Sequence, residues 1–134
     1  MPALTTEQLK KMAQDYQRTG KELLQYKLDH FDDLSIDEFK TIGSKIDSIF
    51  HNANIIAALA VYQIGKDISS SLGILTDSTA KMKKALKIID KVQSVIDIAT
   101  TVVNIGTSII QKDIKGIIGD IKNFSEKLGE FSND

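Results

Sequence analysis

Apolar residues recur along this chain at three- and four-residue steps, the spacing that lines one face of an α-helix. The first stripe runs through Leu9, Met12, Ala13, Tyr16, Leu23, Leu24 and Phe31 and predicts an amphipathic helix over about residues 6–31. Thr5 and Gln8 stand at capping-box spacing at its start. The tract 32–35 interrupts the stripe, and Ser35 with Glu38 makes a second capping box. From there Phe39, Ile42, Ile46, Ile49, Ala53, Ile56, Ala60, Ile64 and Ile68 predict one helix over about 35–70, ended by the Ser/Gly run at 69–73. A third helix, about 77–110, carries Met82, Ala85, Ile89, Val92, Ile96, Ala99, Val103, Gly106 and Ile110. After the polar residues 111–113 the stripe resumes one residue late at Ile114, Ile117, Ile121, Phe124, Leu128 and Phe131. The late step and the helix-weakening Gly116, Gly119 and Asp120 favour a bend or short connection into a helix over about 113–131.

β-Branched residues crowd the chain between Val92 and Ile121 and raise the propensity for strand, but period-two alternation is absent and helical periodicity outweighs it. Two helices of matched length around a Ser/Gly turn are the ingredients of an αα-hairpin. The expected fold is all-α: a single domain, 1–134, forming an up-down bundle of three or four long helices around an Ile-rich antiparallel hairpin.

Composition narrows the possible jobs. At 134 residues, 42% hydrophobic, the chain can build a core without disulfide or metal staples, and with no cysteine it has neither disulfides nor thiolate metal sites. A net charge of -1 lacks the positive bias of nucleic-acid binders, so no nucleic-acid partner is expected. The N-terminus turns polar at once, so neither a cleavable secretory signal nor a constitutive transmembrane helix is expected; a cytoplasmic protein, or one exported by a signal-independent route, fits. Residues 55–64 are too short to span a bilayer, and residues 95–110 carry Asp97 and Asn104.

Candidate chemistry is sparse. His30 and His51 fall in different segments, without the i, i+4 partner of a helical zinc site. There is no nucleophile elbow and no phosphate loop. The acidic patch Asp29, Asp32, Asp33, Asp37 and Glu38 lacks EF-hand spacing, and helix capping explains much of it, so no metal or cofactor is expected. Asp97, Thr100 and Asn104 are the candidate interior polar groups. The basic patch Lys81, Lys83, Lys84, Lys87 and Lys91 opens the third predicted helix, where it opposes the helix macrodipole, and the acidic patch is expected at the other end of the molecule.

These features point to a non-enzymatic protein acting through a protein partner or as a homo-oligomer. The apolar face expected to carry that role comprises Ile55, Ile56, Leu59, Ile105, Ile109 and Ile117. The alternative is a membrane-active protein that folds its apolar hairpin inward and releases it at an anionic membrane, an arrangement that resembles soluble helical pore-forming toxins in architecture only.

Overall fold

A computed structural model describes residues 6–58 and 67–131. They form five α-helices and one 3-10 turn, with no strand among the described residues: α1 (Thr6–Asp29), α2 (Ile36–Ala58), α3 (Asp67–Ile88), α4 (Val92–Ile110) and α5 (Ile114–Gly129). The β-branched tract is helical. Thr5 and Leu59 lie outside the described residues, as does the stretch 59–66 in the last third of the expected second helix.

Helix α1 ends where the Tyr26 carbonyl accepts both the His30 backbone N–H and a bond from His30 Nδ1, each at 3.0 Å. The chain then makes the 3-10 turn Phe31–Asp33. The Ser35 capping box forms as expected: Ser35 N–H donates to Glu38 Oε1 at 2.9 Å and Glu38 N–H to Ser35 Oγ at 3.1 Å. Helix α2 buries Ile42, Ile46, Ile49, Ala53 and Ile56 on one stripe.

The next boundaries differ from the expected ones. Residues 69–73, read as a turn, lie inside α3, and the helix expected over 77–110 is interrupted at residues 89–91. The apolar steps from Ala85 through Ile89 and Val92 to Val95 continue in helical phase across the gap, so the stripe alone cannot register it. The chain turns again at 111–113. Lys112 takes a left-handed φ of 58°, and Asp113 N–H reaches back to the Ser108 carbonyl while Lys112 N–H bonds that of Ile109. This is a Schellman ending, with lysine where glycine is usual. Asp113 then caps α5 by accepting from Gly116 N–H at 3.1 Å.

The helices close into a ring in which α1 packs on α2, α2 on α4, α4 on α5, α5 on α3 and α3 on α1. Consecutive helices thus pack on each other in α1–α2 and α4–α5, whereas α2 and α3 each find their main neighbours elsewhere. Lys27 approaches Gly43 and Phe39 while Tyr16 meets Asn52, so α1 and α2 run antiparallel. Asp15 bonds Thr76 and Glu22 faces Lys83, so α1 and α3 run parallel. The shared core centres on Tyr16, Leu23, Ile49, Ile98, Ile105 and Phe124, all essentially inaccessible.

Candidate functional site: the groove between α1 and α3

The parallel pair α1 and α3 does not close along its outer side. Between them lies a groove of about 590 Å³ with Tyr26, Ala80 and Leu86 among its lining residues, a size within the range of small-molecule pockets. Arg18, Lys21, Lys83 and Lys87 supply positive charge, and Glu22 and Asp29 oppose them. Glu22 is the unusual member. Its Oε2 is buried and has no hydrogen-bond partner among the described residues. Burial penalises the carboxylate and pushes its pKa up to about 7, while Arg18 and Lys83 draw it part of the way back.

At one end of the groove His30 stacks on Tyr26, ring centroids 4.1 Å apart, and His30 Nδ1 is engaged by the Tyr26 carbonyl. Glu22 and His30 are eight positions apart on and just beyond one helix, roughly 12 Å along its axis at 1.5 Å per residue. That separation is too long for the two groups to share a proton. The histidines remain apart, as expected from the sequence: His51 is exposed on α2. No group of three or more His, Asp or Glu side chains able to hold a metal ion occurs among the described residues.

Beyond His30 the groove runs into an apolar corner. Leu28, Phe31 and Ile36 are 58%, 61% and 74% exposed, far more than large apolar groups of a settled core. Phe31, expected on the buried stripe of the first helix, sits instead in the 3-10 turn, held only edge-on against Phe39 at 5.5 Å. Asp29, Asp32, Asp33 and Asp37 stand exposed around these side chains, with Glu38 half-buried in its capping box.

The basic patch is relocated. Lys81, Lys83, Lys84 and Lys87 are exposed on the C-terminal half of α3, and Lys91 is exposed in the connection that follows. Cations there complement the negative end of the helix macrodipole, so the expected electrostatic conflict does not exist. The expected separation of charge also fails. Because α1 and α3 are parallel, the lysines lie alongside the end of α1 that leads into the acidic patch, and Asp29 and Lys87 line the same groove.

The expected apolar face is core in this fold. Ile56, Ile105, Ile109 and Ile117 are buried to 1% exposure or less and Ile55 is half-buried, because α4 is enclosed by α2 and α5. The expected interior polar groups lie outward: Asn104 is exposed, Asp97 accepts from Gln93 at 2.9 Å near the surface, and Thr100 bonds its own helix at Ile96. The true interior polar node is Tyr16, Asn52 and Gly106, joining α1, α2 and α4. Asn52 Nδ2 donates to Tyr16 Oη at 3.3 Å, and burial pushes the tyrosine up to about 12. Asn52 sits on the apolar stripe of α2 two positions before Asn54, and its position on that stripe was the available signal.

Helix α4 is also long and apolar enough to cross a membrane by length and composition, having 19 residues with Asp97 as its one charge. It contains the tract 95–110 and with it Asp97 and Asn104, the polar groups on which the expectation of no transmembrane helix rests. Core helices pass the same test, and α4 contributes Val95, Ile98, Val102 and Ile105 to the interior.

The fold and its surface thus define an all-α protein with a charged groove opening onto an apolar corner. Comparison with protein-family models, with curated proteins and with solved structures finds no match.

Proposed function

We propose that this chain is a non-enzymatic helical interaction protein that engages a protein surface with the α1–α2 corner and the adjoining groove. The observation that carries the reading is the exposure of Leu28, Phe31 and Ile36 around the connection from α1 to α2, at whose start Asp29 and His30 line a groove of mixed charge. Grouped apolar side chains rimmed by charge are the usual anatomy of an interface, with an aromatic residue as its anchor. A catalytic reading finds less support, since Glu22 and His30 of the groove stand about 12 Å apart along the helix axis.

A photo-crosslinking residue placed at position 31, with position 122 on the exposed side of α5 as control, tests this in the native cell. Protein adducts at 31 and none at 122 are expected. Equal adducts at both positions, or none at 31, would overturn the reading. Membrane activity is the second reading, favoured by the length and composition of α4. It requires α4 to leave the core, and flotation with anionic but not neutral vesicles at physiological salt is its signature.

A further inference from the structure

The end of the molecule that bears the corner carries both signs of charge side by side. The register that sets Asp15 against Thr76 and Glu22 against Lys83 places Ile88 level with Lys27. Ile88 is 59% exposed, so α3 brings a further apolar side chain to the end that already displays Leu28, Phe31 and Ile36. Asp32 and Asp33 are exposed in the 3-10 turn that follows α1, and Lys84 and Lys87 are exposed on the last turns of α3, where Lys87 lines one groove with Asp29. None of these four groups forms an ion pair within 4 Å with another described side chain of its own copy.

An acidic patch adjoining a basic patch, with exposed apolar side chains at the same end, is self-complementary under a two-fold rotation. Turning one copy over another brings acid to base twice and apolar to apolar once. We propose that this end binds a second copy of the chain about a two-fold axis, the acidic corner of each copy seated against the lysine-bearing face of α3 of the other. The proposal rests on the interaction reading above and names the partner. Phe31 and Ile36 form the dry centre, and the charges around them set orientation and association rate. Lysine in place of arginine makes the basic side a diffuse attraction, one that salt screens.

Sedimentation velocity of the full chain at low and high salt tests this. A species of twice 14.8 kDa is expected at low salt, weakening as salt rises. Two charge-reversed variants then decide which surfaces meet: Asp32→Lys with Asp33→Lys, and Lys84→Glu with Lys87→Glu. All four positions are exposed, and Lys83 is left intact to preserve the field around Glu22. Each variant alone is expected to weaken self-association about tenfold or more while retaining its helical circular dichroism. Mixed in equal amounts they are expected to dimerise again, because each reversed surface then meets its new complement. A wild type that stays monomeric throughout, reversals without effect, or a mixture that fails to reassociate overturns the proposal. Position-specific crosslinks from residue 31 to a different protein, with a monomeric wild type, overturn it while leaving the interaction reading standing.

Discussion

Helix α1 has two working sides, and they are built on opposite principles. Toward α2 and α4 it presents Tyr16, Gly20 and Leu23, and the chains close until little space remains. A methyl group added at Gly20 would lie 2.9 Å from the Phe50 ring, and one added at Gly106 would collide with the Tyr16 phenol. Toward α3 it presents Arg18, Glu22 and Gln25, long polar side chains that hold the helices apart and leave a groove. Even the anchor of that side is polar: Asp15, 3% exposed, accepts from Thr76 Oγ1 at 2.9 Å and pairs with Lys11 at 3.0 Å. Small residues permit close helix contact and fix the fold, whereas long charged ones forgo core packing and create a surface that can respond to pH and to partners.

The closed side breaks most readily at Gly106. Gly106→Val drives a branched side chain into Tyr16 and Asn52, and a loss of about 2–3 kcal/mol is expected in denaturant unfolding. The open side is expected to respond in the opposite direction. The Glu22 pKa is raised in the folded state from its ordinary value of 4.5 to about 7, so the stability gained from holding its proton is complete below the unfolded value and is lost as the pH rises through the folded one. Glu22→Gln, neutral throughout, should match wild type near pH 4 and exceed it by about 1–2 kcal/mol near pH 8, after discounting for solvent reaching the groove. Equal stability of the two proteins at alkaline pH would show that the groove does not penalise this charge.

Away from both sides of α1 the effects shrink. Ser35→Ala removes one half of the reciprocal cap of α2 and is expected to cost about 1 kcal/mol. Gly119→Ala calibrates the glycine comparison, since nothing lies within 4 Å of the added methyl. Helix propensity then acts alone, and a gain of about 0.5–1 kcal/mol in unfolding free energy is expected. A loss at Gly119 as large as that at Gly106 would remove steric closure as the reason for the difference.

Where local chemistry decides a boundary, the sequence announced it. Ser35 and Glu38 bond each other across three residues, and the connection at 111–113 appears as polar residues and a late stripe. The interruption at 89–91 left no such mark, because a connection that preserves the phase of the apolar stripe leaves the pattern intact. Lys112 likewise gives no hint of a left-handed backbone, which the hydrogen bonds of the α4 ending impose on it. The groove was legible only in pieces. The lysines and aspartates were visible as runs, but their adjacency depends on α1 and α3 lying parallel, and Glu22 is one more charged residue on a helix until its burial is known.

Periodicity determined by itself that this chain is helical and that Ile46, Ile49, Ile121 and Phe124 belong inside, because water drives any apolar stripe to the interior whatever covers it. Which helices supply that cover was a tertiary decision. Enclosure of α4 by α2 and α5 buried Ile56, Ile105, Ile109 and Ile117, which sequence alone offered as a binding face, and the fold left Phe31, Ile36 and a half-buried carboxyl to make the surface instead. Pairings of distant helices follow from shape and charge over the whole chain, and those are properties no single window of residues contains.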